Sequence, residues 1–355
     1  MDFTLDSAAA AVRDVADDVM RRMQPDWETR FAAGVGGFDE AAWRGLTDAG
    51  VTAMPLPEEF GGDALGVDSL RPLVQRAGRD AVVTPLIGTL AGGLVLAQST
   101  AAGDWASIAA DGGWYAAAIG EPRRALGERF DAHLENGVLS GTKTGVLHAE
   151  GAGAFLVATD HGVVVVDPAA AGITVTRTTS SSGWGEYTVV FDEVAIADGQ
   201  VVADDSQYFA DVYRALVAAY ADGLLAGAIA RTAEHVSTRN QFGRPIATFQ
   251  AVGQQLADIY VVSATLELVS TAAAWELENK RVATDDLATA AFWIADELPA
   301  TMRTMTHLHG GVGVDVTYPL HRYFSIAKDL GRLVGGSDGT LGVLADDTDL
   351  EAACS

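Results

Sequence analysis

The sequence predicts an α+β chain in which helical regions flank a small β domain. Apolar residues recur at helical spacing up to about residue 112 and again from about 206. Short β-branched runs fill the interval, punctuated by Gly and Asp. The 355 residues are enough to bury a substantial core, and a composition of 49% hydrophobic and 20% charged residues is that of a soluble, folded protein. The expected domains are 1–112, helical; 113–205, a small antiparallel and barrel-like β domain; and 206–355, a four-helix bundle ending in a short acidic tail.

The elements follow in order. Ala8 to Met23 carries Ala, Val and Met at helical spacing with Asp and Arg on the other face. Phe38-Asp39-Glu40 introduces a second helix, Ala41 to Asp48, which Gly50 ends. Pro55 to Asp63 is rich in turn residues, and helical pattern resumes at Asp68. Pro85 to Ala102 is apolar but broken by Thr89, Gly92, Gly93, Gln98, Ser99 and Thr100, so it reads as a buried helix rather than a membrane span. Strands are expected at Phe155–Thr159, Val163–Val166, Ile173–Arg177 and Tyr187–Phe191. Long Ala/Leu-rich helices are expected at Asp211–Arg239, Ala251–Lys280 and Asp285–His307, with a frayed tail from Asp346.

Charge narrows the function. A net charge of -25 leaves no basic face for nucleic acid and disfavours anionic membranes. It suits a solvated, repulsive surface. The single cysteine, Cys354, allows no intrachain disulfide, and the acidic start Met1–Asp6 is unlike a signal peptide. The cytoplasm is the expected location.

Two stretches carry chemistry. In Arg239-Asn240-Gln241-Phe242-Gly243-Arg244-Pro245-Ile246, closing on Phe249-Gln250, a cation at a helix end stands beside an aromatic ring and a following glutamine. That set suits a pyrophosphate and adenine ligand; a helix C-cap with Arg on the dipole explains the same residues. In His307-Leu308-His309-Gly310-Gly311-Val312-Gly313, the paired glycines allow close backbone approach to a ligand or tight packing. His307 and His309, two apart on a helix, face nearly opposite ways, so no metal is expected there.

Together these motifs resemble the acyl-CoA dehydrogenase family, as do Pro57-Glu58-Glu59-Phe60-Gly61-Gly62, Gly141-Thr142-Lys143 and Tyr318-Pro319. The resemblance spans nearly the whole chain. It implies helical, β-barrel and helical-bundle domains, FAD as cofactor, and α,β-oxidation of an acyl-CoA thioester with a glutamate as base. It also implies that Arg239, Phe242, Gln250, Gly310 and Gly311, with His307 in place of the usual glutamine, hold the adenine and pyrophosphate end of a neighbouring subunit's FAD. An electron-transfer flavoprotein is a further partner the resemblance implies.

The chain departs from that family where the base belongs. Gly335 and Tyr213 occupy the two positions at which members carry the glutamate, so no catalytic residue is assigned. Gly120-Glu121-Pro122 and Lys143-Thr144-Gly145-Val146-Leu147 lack the hydroxyls and the aromatic expected against a flavin ring. The pattern resembles the smaller, non-catalytic subunit of actinobacterial heterotetrameric acyl-CoA dehydrogenases, several of which act on steroids. A catalytic subunit would then bind the acyl-CoA and supply the base. Two other readings stay open. One is a self-sufficient homo-oligomer with a displaced base, for which Asp338, Asp211 or Glu121 are candidates and Glu276 and Glu278 weaker ones. The other is a redox-inactive scaffold.

Overall fold

The computed structural model describes residues 4–23 and 37–347. Helices α1 (Ser7–Met23), α2 (Glu40–Asp48), α3 (Val67–Arg79), α4 (Leu86–Leu96) and the short α5 (Ser107–Ala110) come first. The Asp39 carboxylate starts α2 by accepting the Ala42 N–H at 3.1 Å. Helix α4 is buried along nearly its whole length, as a hydrophobic segment without a polar face must be.

Eight strands follow: β1 (Tyr115–Ala118), β2 (His133–Glu135), β3 (Val138–Leu147), β4 (Ala154–Thr159), β5 (Gly162–Val166), β6 (Ile173–Thr178), β7 (Glu186–Ala195) and β8 (Val201–Ala203). They form two four-stranded sheets, ordered β1-β4-β5-β8 and β2-β3-β7-β6. The first sheet is buried on both faces. Leu156, Ala158, Val163 and Val165 join the helical core, while Phe155, Val157, Val164 and Val166 meet Leu139, Val189 and Phe191 of the second sheet. Burial on both sides explains why β4 and β5 read as continuous apolar runs. The expected barrel-like domain is built as two stacked sheets, and it is not wholly antiparallel: β1 pairs β4 in parallel because the β2–β3 hairpin carries the chain across between them.

The remaining helices are α6 (Gln207–Thr238), α7 (Gln250–Glu278), α8 (Thr284–Phe292), α9 (Leu298–His309), α10 (Pro319–Leu333) and α11 (Gly336–Asp347). The single helix expected over 285–307 is interrupted by a π turn, Trp293–Glu297. Pro299 explains it: proline lacks the N–H and crowds the carbonyl four residues back, that of Ala295. The first two residues of the acidic tail end α11, and the rest, with Cys354, lies outside the described residues.

The first and last helical regions share one core. A Cβ on Gly78 would stand 2.1 Å from the Tyr220 carbonyl oxygen, one on Gly223 1.9 Å from that of Gln75, and one on Gly227 2.1 Å from that of Arg79. Helices α3 and α6 therefore touch backbone to backbone. Polar bonds lock the crossing: Tyr220 Oη donates to the Val82 carbonyl at 2.9 Å, Tyr323 Oη to that of Arg79 at 2.7 Å, and Gln75 Nε2 to Asp222 at 2.6 Å.

An aromatic cluster joins α2 to the β region. The Phe38 ring sits edge-on to Trp114 at 5.1 Å and to His148 at 5.6 Å, and Trp114 Nε1 donates to the His148 carbonyl at 2.9 Å. Burial pushes the His148 imidazole down to about 4.

Gly223→Ala should cost about 3 kcal/mol in denaturant unfolding, because the methyl meets backbone that cannot yield. Gly342→Ala, in open space on α11, should cost nothing and gain up to about 1 kcal/mol. His148 is neutral in the fold and binds a proton more readily when unfolded. Its stabilising contribution is therefore complete above about pH 6.5 and is lost as pH falls toward 4, by about 3 kcal/mol. His148→Asn tolerates the residue's positive φ of 55° and should remove that part of the acid slope when unfolding is compared at pH 7 and pH 5.

Candidate cofactor half-site

Helix α6 ends at Thr238, and Arg239 turns to extended backbone, its N–H donating to the His235 carbonyl at 2.9 Å. Two short strands, β9 (Asn240–Gln241) and β10 (Arg244–Pro245), form a hairpin whose turn residues Phe242 and Gly243 both have positive φ, 52° and 80°. Two left-handed residues in succession suit a tight hairpin turn, but phenylalanine is a costly choice for the first. The turn lifts the Phe242 ring into solvent, 92% exposed. Its one ring contact among the described residues is Phe249, edge-on at 6.1 Å, and the Arg244 guanidinium covers Phe249 at 4.3 Å. Gln250, the first residue of α7, is exposed, as is Arg239, which has no carboxylate partner among the described residues.

The second stretch closes α9. Gly310 adopts φ 64° and ψ -143°, a conformation essentially restricted to glycine, and a tight turn runs from Gly310 to Val314. A side chain at Gly311 would meet nothing within 4 Å, so packing within this chain does not require that glycine. His307 is exposed and His309 buried, in keeping with their expected opposite faces.

The fold brings the two stretches together through histidines. His235, one turn before Arg239, stacks on His309 with centroids 4.3 Å apart, and Tyr318 closes on His309 at 5.5 Å. His309 Nδ1 lies 2.8 Å from the Met305 carbonyl, so it carries the proton, and Nε2 is buried with no partner among the described residues. Burial lowers the pKa of both imidazoles, and for His235 the nearby Arg239 charge adds to it. Two neutral rings thus join the Arg239 hairpin to the Gly310 turn. Sequence reasoning passes over His235, whose signal was its position four residues before Arg239 on the same helix face.

At the first position expected for a base the backbone packs tightly on Ala125, beside a cavity of about 310 Å³ lined by Ala125, Leu126, Arg214 and Val334. Gly335 has φ 117°, and a Cβ there would stand 2.8 Å from the Ala125 Cα. The Leu126 N–H donates to the Val334 carbonyl at 3.3 Å, and the Leu333 side chain lies 3.0 Å from where a Gly145 Cβ would be. Gly120 likewise packs against the Thr144 carbonyl. The segment after β1, the end of β3 and the end of α10 therefore touch directly. Tyr213 is buried on α6 and lines a cavity of about 20 Å³ with His148, Trp184 and Tyr220.

The candidate carboxylates are engaged otherwise. Glu121 is buried, ion-paired to Lys143, and accepts the N–H groups of Asp131 and Ala132 at 3.1 Å each. Asp211 accepts from Gln207 at 2.9 Å and Arg214 at 3.4 Å, with burial raising its pKa. Asp338 is exposed. Glu278 accepts the Asp68 N–H at 3.3 Å at the start of α3, so it has structural work at its exposed helix end.

The pattern of the acyl-CoA dehydrogenase C-terminal domain matches residues 204–344. Acyl-CoA dehydrogenase FadE28 of Mycobacterium tuberculosis is 40% identical over 349 residues, which cover 97% of this chain and 98% of that protein. A chain of the ChsE4-ChsE5 complex from Mycobacterium tuberculosis superposes with a TM-score of 0.86 at 30% identity, covering 98% of this chain and all of that one. A chain of the Tcur3481-Tcur3483 steroid acyl-CoA dehydrogenase, G363A variant, gives the same TM-score and identity and covers 98% of this chain and 99% of that one. With this likeness running from end to end, the chain belongs to the acyl-CoA dehydrogenase family, whose members are FAD-dependent oxidoreductases.

Proposed function

We propose that this chain is the non-catalytic subunit of a heteromeric FAD-dependent acyl-CoA dehydrogenase and completes the cofactor site of a catalytic partner. The observation that carries this reading is an asymmetry. The residues suited to the adenine and pyrophosphate end stand open to solvent, while the segments that would flank a flavin ring are packed against one another. The two ends are also far apart. Tyr213 and Arg239 are 26 residues apart on one helix, about 39 Å along its axis. The open half-site thus lies far from the chain's own base position, on surface that another subunit can reach.

In this reading the Arg239 guanidinium pairs with the pyrophosphate, and the Phe242 ring covers the adenine. Gln250, His307 and the backbone of Gly310–Gly311 supply hydrogen bonds. The stacked His235 and His309 hold the two loops in register. FAD, when bound, accepts the hydride in α,β-desaturation of an acyl-CoA thioester. The partner supplies the carboxylate for the α proton and the acyl-CoA pocket, and an electron-transfer flavoprotein takes the electrons onward.

The surface supports a protein partner. Helix α6 is core, with 83% of its most apolar window buried, whereas for α7 that share is 33%. Tyr260, Val261 and Leu268 lie 71%, 61% and 56% exposed on α7, and Val314 and Val316 are exposed beside the Gly310 turn. Likeness to a chain of a steroid acyl-CoA dehydrogenase makes a steroid-derived acyl-CoA the substrate class to test first. A cytoplasmic location goes with this reading.

The flavin-to-protein ratio, read from visible absorbance, tests it. The chain purified alone should hold little flavin even after FAD supplementation, and the complex with its catalytic subunit should hold it firmly. Arg239→Ala should weaken FAD retention by the complex about 10- to 100-fold, the loss of one charge-assisted bond. Near-stoichiometric flavin on the chain alone would favour a self-sufficient enzyme. Unchanged flavin in the Arg239→Ala complex would favour a redox-inactive scaffold.

A further inference from the structure

In the β region, β2 and the β4–β5 turn bring two imidazoles and two carboxylates together. His133 and Glu135 are two apart on β2 and share its exposed face. Asp160 and His161 form the turn between β4 and β5. His133 Nδ1 bonds the Asp160 carboxylate, and His133 Nε2 lies 3.4 Å from Glu135 Oε2. His161 Nε2 lies 3.9 Å from the same Asp160 oxygen. One ligand atom from each of His133, Asp160 and His161 falls within 4.8 Å of the others.

The backbone beneath the cluster is fixed. The Leu134 N–H donates to Asp160 Oδ1 at 3.0 Å, and the Asp160 N–H donates to the Ala132 carbonyl at 3.0 Å. The His161 N–H donates to Thr159 Oγ1 at 3.2 Å, and that hydroxyl donates to the Gly162 carbonyl at 2.7 Å. Both residues of the turn are therefore positioned by groups other than the histidines. One Asp160 oxygen is spent on backbone, and the other faces both imidazoles.

We propose that His133, Asp160 and His161, with Glu135 at its edge, form a binding site for one divalent transition-metal ion of the zinc class. Two imidazoles and one or two carboxylates match the donors such ions take, and they are too nitrogen-rich for magnesium or calcium. Imidazoles and carboxylates at this spacing need only side-chain rotation to converge on distances of about 2.0–2.2 Å. Because β2 belongs to one sheet and the β4–β5 turn to the other, the ion would clamp the two sheets at one end of the stack. Imidazole binds a metal only when its nitrogen is free of a proton, so binding should weaken as pH falls.

The test is calorimetric titration of zinc chloride into the full-length, tag-free chain after chelator treatment, with magnesium chloride as control. Saturable binding of one zinc per chain at pH 7.5 is expected, weaker at pH 6, with a rise in unfolding temperature and no response to magnesium. His161→Ala and, separately, His133→Asn should each reduce zinc affinity tenfold or more. Both side chains are half-exposed or more, so circular dichroism should show these variants folded, while Asp198→Asn, exposed and outside the cluster, should bind as the parent does. Absence of saturable zinc binding, or binding undiminished in His161→Ala and His133→Asn, overturns the site.

Discussion

The crossing of α3 and α6 is the constraint on which the rest of the molecule depends. Glycines at 78, 223 and 227 let the two helices meet without side chains between them. The first helical region is thereby fused to the last, and one core serves both. Helix α6 becomes a rigid beam through that core, about 48 Å long for its 32 residues. Its first half carries Tyr213 and Tyr220 in the interior, and its far end delivers His235 and Arg239 to the surface. Under the proposed function, a half-site that meets another subunit gains from such a mounting, because a loop alone would not hold Arg239 and Phe242 in a fixed place.

The β region is tied by charge as well as apolar packing to α10, which packs on this beam. Asp329 on α10 accepts the N–H groups of Ser181 and Ser182 at 2.7 Å each. Arg332 makes a two-pronged pair with Glu186 on β7, both bonds at 2.5 Å. Glu186 and Asp329 are almost fully buried, so removing Arg332 would strand a carboxylate rather than lose a surface pair. The latch sits only a few residues before Val334–Gly335, and it keeps that turn pressed against the segment after β1.

Legibility in the sequence followed the strength of local pattern. The long helices were readable because their apolar residues repeat over many turns, and β4 to β7 because their runs are β-branched. Strands β2 and β3 were not: Val138 to Leu147 contains two glycines, a lysine and two bulges, and its apolar residues do not alternate. Strand β2 pairs only with β3, across the tight Asn136-Gly137 turn, and the other partner of β3, β7, lies far along the chain, so tertiary pairing completes the pair. The same limit applied to the site. Arg239, Phe242, Gln250 and the Gly310 turn were legible as motifs, but the His235–His309 stack that unites them joins residues 74 apart. Glu121 looked available as a base until Lys143, 22 residues on, proved to be its buried partner.

Gly335, at an expected base position, and Gly120 and Gly145, on the expected ring side, belong to one packing arrangement. Glycine at 335 permits a positive φ and leaves room for Ala125 against its Cα. Once Ala125 is there, the Leu126 N–H reaches the Val334 carbonyl, and the contact is held by a backbone bond in a buried setting. Glycine at 145 lets the Leu333 side chain approach in the same way. A glutamate restored at 335 alone would collide with Ala125, and its backbone would be strained at φ 117°. A carboxylate at Tyr213 would be buried in the core without a cationic partner among the cavity-lining residues, and burial would hold it protonated. Neither single substitution recreates a base. Under the proposed function, the contact of Gly335 with Ala125 and the burial of Tyr213 rule these out, and the Arg239 hairpin is the part left to meet a cofactor.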